Sequence, residues 1–411
     1  MCHRVLWNTH SSLGSYHMTA RDRRFVLKQG TLWALAGMAG GLNGCSTSGG
    51  YYEAATGPAY SPWNFPQGSL SPHEQCLAAA VLAASPHNTQ PWLFHWLDHT
   101  ITLYANKEKS LGAMDSLSRE LYLGLGCAVE NMMITAKHLG LNPKLELFPE
   151  AGQDDLVARI TTQPGTPEPH PLFPWLAKRH TNRFAYLDAD APAVLVRDLE
   201  IQHDNNLNSV VKLSFLGDSG SKKNFSEGTI RATQAILDDR EMLEASDRWL
   251  RHSKKDIEKE RDGITYDAAG LGWGMRALAK LTPQASAKES GKYWLDAQKT
   301  TQRTGFGFGI LSTPQRNSRL QQVMCGQSYQ RLHLWAVANG LAMQPLNQMC
   351  ERQDREETQG LPEKPFTQIW NSLLVQNPER ANGVQMAFRV GIAVQDTFPN
   401  PRRSWQQNLK S

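Results

Sequence analysis

Residues 163–174, QPGTPEPHPLFP, hold five prolines. Each proline lacks a backbone donor and drives the residue before it out of the helical region, so neither a helix nor an interior strand crosses this stretch. The body of the chain is therefore expected as two segments, 71–162 and 175–411, joined by a linker at 163–174. The 411 residues suffice for two domains or one large one.

Both segments mix helix and strand signals. Ser71-Pro72-His73-Glu74 sets a capping box with proline in the first turn, ahead of an apolar stripe that must end near Ser85-Pro86. Residues 93–97 and 100–104 predict a hairpin around Asp98-His99. A long helix is expected over 118–139, closed by Gly140, with strands at 145–148 and 157–161. The second segment predicts a strand at 210–216, a helix over 226–249, a polar insertion at 250–300, a helix over 328–339 closed by Gly340, and a strand at 384–394. The two long helices end alike, in AKHLGL at 136–141 and AVANGL at 336–341, 200 residues apart. That offset suggests one duplicated unit.

The N-terminus reads as an address. Arg23-Arg24 precedes an apolar stretch at about 31–42, shorter than the ~20 residues a spanning helix needs. Leu42-Asn43-Gly44-Cys45 follows. The first pattern resembles a twin-arginine export signal and the second a lipobox, cut before a cysteine that is then lipidated. Met18 is the expected start, 1–45 the signal, Cys45 the lipidation residue and 46–70 a flexible tether. This address implies the periplasmic side of a bacterial envelope, with the membrane engaged only through the lipid.

Residues 83–94 carry a helix into the polar turn Ser85-Pro86-His87-Asn88-Thr89-Gln90 and then into a strand opened by Pro91-Trp92. Such a turn offers a flat heterocycle several donors and acceptors. S-x-x-N-x-Q-P-W resembles the flavin-contacting turn of the nitroreductase family. Arg179-His180-Thr181-Asn182-Arg183 resembles the family's R-x-[ST]-x-R stretch, whose basic residues hold the FMN phosphate; arginine gives planar, charge-assisted donors for a dianion. Gly340 through Asn347, with Pro345 and Leu346, resembles a turn whose amides approach the flavin. Arg402 and Arg403 at the end of a strand resemble a last phosphate contact. The resemblance therefore implies Ser85, His87, Asn88, Gln90, Arg179, Thr181, Asn182, Arg183, Pro345, Leu346, Asn347, Arg402 and Arg403 as residues around one FMN.

In that family the arginine motif precedes the S-x-x-N-x-Q-P-W turn. Here the turn comes first, and no second copy of either motif is found. The order is similar to the Acg-type branch. It implies an α+β, nitroreductase-like fold of two fused halves, an intramolecular pseudo-dimer with one flavin site, and a monomer.

Composition narrows the function classes. A net charge of +4 with no long like-charge run gives no case for nucleic-acid binding. Six cysteines without C-x-x-C or zinc spacing give neither a disulfide framework nor a metal site. No catalytic triad or carboxylate pair stands out, and a flavin enzyme needs none, because the cofactor carries the chemistry. The expected activity is reduction of a small aromatic or quinone-like acceptor, with the reductant unassigned. The alternative is FMN storage without turnover, under a lid formed by 250–300, including Arg261-Asp262-Gly263-Ile264.

Overall fold

The computed structural model describes residues 52–204 and 210–410. The expected signal at 1–45, the start at Met18, Cys45 and the first residues of the tether lie outside the described residues. Ser48–Ser411 forms a compact unit by itself.

Helix α1 (Pro72–Ala80) opens on the expected capping box: Ser71 Oγ accepts from Glu74 N, and Glu74 Oε2 accepts from Ser71 N at 2.8 Å. Strands β1 (Trp92–Leu97) and β2 (Thr100–Ala105) pair as an antiparallel hairpin, turned at Asp98 with φ 50°. Helix α2 (Arg119–His138), then β3 (Leu141–Leu147) and β4 (Leu156–Pro164), complete an antiparallel sheet ordered β1-β2-β4-β3.

The chain continues through α3 (Ala193–Asp204), β5 (Lys212–Leu216), α4 (Ser219–Asp238) and α5 (Arg240–Asp247). Next come β6 (Leu250–Arg251), α6 (Lys254–Glu260) and β7 (Ile264–Thr265), with β6 and β7 paired in parallel. Helices α7 (Trp273–Leu281) and α8 (Ala287–Thr300) follow. Then β8 (Gly307–Ser312), α9 (Arg319–Ala338), β9 (Ala342–Pro345), α10 (Gln348–Thr358), α11 (Pro365–Leu373), α12 (Pro378–Ala381) and β10 (Val384–Gly391) close the order. The second antiparallel sheet runs β5-β8-β10-β9. Strand, strand, helix, strand, strand thus occurs twice, with the same neighbour order each time.

The two central helices, α2 and α9, pack backbone to backbone. A Cβ on Gly126 would lie 2.0 Å from Val323 O, and one on Gly326 would lie 2.0 Å from Leu123 O. Only glycine permits that approach. Beside the crossing, Cys127 Sγ donates to Gly326 O at 3.2 Å, and Gln330 Nε2 donates to Asn131 Oδ1 at 2.8 Å. The reciprocal glycines carry the 200-residue offset seen in the sequence. One apolar core joins Phe94, Leu103 and Ile160 of the first sheet to Leu311, Met386 and Phe388 of the second.

Four expectations need correction. Helix α9 begins at Arg319, where Ser318 Oγ accepts from Gln321 N, rather than at 328; its polar first half is buried against α2 and so shows no apolar stripe. The helix expected over 226–249 is two, because Asp239 is extended and its side chain caps α5. The tether is not free over 52–70: Tyr52, Ala59, Tyr60 and Phe65 are buried, and Trp63 Nε1 donates to Asn400 O at 2.8 Å. Aromatic residues in a Ser/Gly/Pro-rich stretch gave it something to bury. The proline-rich linker is shorter than expected, since β4 runs to Pro164 and a 3-10 turn starts at Phe173.

Candidate functional site

The turn after α1 is held by its own side chains in an unusual backbone. His87, Asn88 and Gln90 all have positive φ, at 44°, 59° and 55°. Non-glycine residues in that region cost energy and persist only where contacts over-determine them. Here Ser85 Oγ accepts from Gln90 N at 3.1 Å. Asn88 Nδ2 donates to Gly263 O and Pro401 O, both at 2.9 Å. Gln90 Nε2 donates to Arg261 O at 2.8 Å, and its Oε1 accepts from Arg403 N at 2.9 Å. The amides of Asn88 and Gln90, expected on a ligand, are engaged with the segments at 261–263 and 401–403.

Arg403 belongs to the same clamp. Its guanidinium donates to Thr89 O at 2.6 Å and Gln90 O at 2.8 Å and pairs with Asp262 at 2.5 Å. Asp262 is fully buried and also holds Arg251 and Lys109.

A cavity of about 750 Å³ lies against this turn. That is ample for a cofactor-sized ligand. Six of the expected residues line it: Ser85, His87, Thr181, Arg183, Pro345 and Asn347. Helices α7 and α8 form another part of the wall, with Met275, Leu278, Tyr293 and Trp294 among the lining residues. The polar insertion thus contributes directly to the cavity. His87 Nε2 meets Ser246 Oγ at 3.0 Å; burial, and then Arg183, push its pKa down to about 4, so the ring is neutral at pH 7. Burial lowers Arg183 to about 10, and its Nη1 donates to Ala268 O at 3.0 Å.

The remaining expected residues stand apart from the lining. Arg179 and Arg402 are buried and donate to consecutive carbonyls, Leu82 O at 3.0 Å and Ala83 O at 3.1 Å, immediately before the cavity-lining Ala84 and Ser85. Among the described residues, no ion pair involves Arg179, Arg183 or Arg402. Burial depresses the pKa of both Arg179 and Arg402, and Arg179 depresses that of Arg402 further. Arg179 Nε, Arg402 Nε and Nη1, His180 Nδ1 and His333 Nε2 have no partner. Asn182 is spent on the backbone, donating to Gln395 O and accepting from Phe184 N. Leu346 is core, packed with Met349 and Trp370. Asn347 accepts from Ala387 N as well as lining the cavity.

Several site residues carried no motif. Glu120 of α2 and Glu351 of α10 both line the cavity, and the charge of Glu120 adds to burial in raising Glu351. Burial raises Glu120 to about 7 and Glu351 well above the usual carboxylate range. Tyr329 lines the cavity, and its hydroxyl meets His333 Nδ1 at 3.2 Å. Trp63 lies over the Arg402 guanidinium, 4.9 Å from ring centroid to carbon, and against His180. The one available signal was polar side chains one turn apart, Tyr329 and His333, inside an otherwise buried helix.

The architecture is mixed α/β with antiparallel sheets, consistent with a nitroreductase-like fold. No protein-family model matches the chain. It is 31% identical over 132 residues to a Mycobacterium tuberculosis protein (strain H37Rv) named "Putative NAD(P)H nitroreductase Rv3131". That match covers 32% of this chain and 38% of the relative. A second protein of the same strain, "Putative NAD(P)H nitroreductase acg", is 33% identical over 85 residues, 21% of this chain and 26% of its own length. The chain therefore spans under two fifths of the length of these relatives.

Proposed function

We propose that this chain is an FMN-dependent oxidoreductase of the nitroreductase type, with two fused halves enclosing one flavin site in a monomer. The observation that carries the reading is the pair Arg179 and Arg402: two buried guanidiniums beside a cofactor-sized cavity, with unpaired N–H groups and no carboxylate. Unpaired buried charge is costly by several kcal/mol, and a phosphate dianion removes that cost. Thr181 and Arg183 extend the same donor set to the cavity wall. The repeated sheet order and the reciprocal glycines support two fused halves. The partial likeness to proteins named as nitroreductases supports the reaction class.

FMN, when bound, supplies hydride and electron transfer, taking electrons from a reduced donor and passing them to a small aromatic or quinone-like acceptor. The chain's own residues bind and orient it. Ser85, His87, Pro345 and Asn347 wall the cavity together with residues of α7 and α8. The same reading places the protein on the periplasmic side of a bacterial envelope, exported by a twin-arginine signal and anchored through Cys45. The absorbance spectrum of the purified protein and mass analysis of the released cofactor test it. FMN is expected; FAD, or no flavin after incubation with FMN, overturns it.

The placement of α7 and α8 against the cavity favours a second reading, in which FMN is held rather than turned over. Steady-state turnover with dithionite or a quinol against a panel of acceptors separates the two.

A further inference from the structure

Strands β6 and β7 pair in parallel, Leu250 beside Ile264 and Arg251 beside Thr265. The next residue of each strand, His252 and Tyr266, therefore emerge side by side. Their rings meet edge to face with centroids 5.4 Å apart, and His252 Nδ1 lies 2.6 Å from the Tyr266 hydroxyl. Leu250, Ile264, Thr265 and Tyr266 line the cavity, and His252 is outside the lining. The turn carrying Tyr266 is fixed to the expected flavin contacts. Arg183 Nη1 donates to Ala268 O at 3.0 Å, and a Cβ on Gly270 would lie 2.6 Å from Arg183 O. Only glycine allows that approach.

The protonation of the pair follows from its surroundings. Burial lowers the pKa of His252 against the opposing charge of Asp247, so the ring is neutral at pH 7. Burial, and then Asp247, raise that of Tyr266, which stays a hydroxyl. A neutral imidazole carries one N–H. His252 Nε2 is buried and has no partner among the described residues. A buried donor without an acceptor is rarer than an under-satisfied acceptor. The hydrogen therefore sits on Nδ1 and is donated to the Tyr266 oxygen. The phenolic hydrogen is left for a ligand in the cavity that Tyr266 lines.

The rest of the lining limits what that ligand is. Residues 250–300 add apolar wall through Leu250, Leu271, Leu278 and Trp294. Among the described lining residues the one arginine or lysine is Arg183, whereas Glu120, Asp247, Glu289 and Glu351 bring carboxyls. With Arg183 on the flavin phosphate, an anionic acceptor finds no cation here. A single neutral O–H donor suits one good acceptor oxygen on an apolar ring. A quinone carbonyl is such an oxygen, and a nitro oxygen is a weaker acceptor.

We propose that Tyr266, positioned by His252, is the specificity-determining residue of an acceptor subsite for neutral quinones, its hydroxyl donating to a quinone carbonyl while the apolar wall takes the ring. The proposal deepens the flavin-site reading given above and rests on it.

The test measures binding, with and without saturating FMN, by equilibrium dialysis of the full chain against three ligands of one shape: duroquinone, nitrodurene and durene. Expected is preference for duroquinone over both others. Tyr266→Phe should weaken duroquinone about fivefold, the worth of one neutral hydrogen bond, and leave durene unchanged. His252→Leu should lower the same duroquinone-to-durene ratio, and His252→Asn, whose amide can stand in for Nδ1, should restore it. A merely structural role for either residue would move both ligands together and leave the ratio alone. Equal affinity of the parent for duroquinone and durene overturns the proposal, as does a ratio unchanged in Tyr266→Phe. Nitrodurene bound as tightly as duroquinone, with the same dependence on Tyr266, overturns the quinone assignment. FMN affinity is measured separately and should stay within twofold in Tyr266→Phe. Failure of FMN to bind the parent would remove the flavin reading, while the flavin-free ratio still decides the role of Tyr266.

Discussion

The guanidiniums of Arg179 and Arg402 donate to neighbouring carbonyls, Leu82 O and Ala83 O, and neither meets a carboxylate among the described residues. They come from distant parts of the chain and converge on the end of the first helix. On the function proposed above, the phosphate of the cofactor would satisfy this pair.

Phosphate-bearing flavin is therefore expected to stabilise the protein far more than riboflavin. A ligand at a hundred times its Kd adds about 2.7 kcal/mol. Replacing Arg402 with Ala should remove about 1.5–3 kcal/mol of FMN affinity, the range for charge-assisted bonds. Fluorescence titration with FMN and riboflavin checks both. Equal affinities for the two flavins, or FMN affinity in the variant within twofold of the parent, would remove the phosphate assignment.

Gly326→Val puts a Cβ 2.0 Å from Leu123 O, and the two central helices must separate to admit it. The expected cost is at least the ~1–3 kcal/mol of an overpacked core. Urea denaturation followed by circular dichroism measures it. If each half folded independently of the other, far-UV signal would survive and only part of the transition would shift. A monomer carrying one FMN, by light scattering and flavin quantification, is the companion expectation; two flavins per chain would contradict it.

The carboxyl of Glu120 prefers to be protonated in the folded state, with a pKa near 7 set by burial and only partly offset by Arg119. The folded value lies above the unfolded one. The resulting penalty on folding is thus absent below the unfolded value and grows as pH rises toward 7. Glu120→Gln mimics the neutral form. Its melting temperature relative to wild type should be higher at pH 8 than at pH 5. A difference independent of pH would show that Glu120 is ionised throughout.

Asp262 holds Arg251, Arg403 and Lys109 from a fully buried position. Asp262→Ala leaves buried cations uncompensated, for which about 3–5 kcal/mol is typical. Because Arg403 also braces Thr89 and Gln90, the variant should lose flavin affinity along with stability. A stable variant with unaltered flavin binding would mean the clamp does not shape the turn.

Much of the scaffold was legible because its signals are local. The capping box at Ser71, the hairpin at Asp98 and the glycine closures at 140 and 340 depend on neighbouring residues. The cavity did not yield to the same reading. Whether Asn88 faces a ligand or Gly263 depends on positive φ at three residues of one turn, which no periodicity reports. The first half of α9 hid because its polar side chains are satisfied inside the fold, Gln322 on Arg316 O and Gln327 on Glu130 of α2. Helices α7 and α8 hid for another reason: they lie inside the stretch that reads only as a polar insertion at 250–300.

The contacts of Arg402 and Arg403 with Ala83, Thr89 and Gln90 also set an order of events. Residues 402 and 403 leave the ribosome long after residue 90 has emerged. Until then the turn lacks its brace, and the converging cations are one short. Site assembly is therefore a late event of biosynthesis, and a chain truncated before residue 402 has no means of completing it.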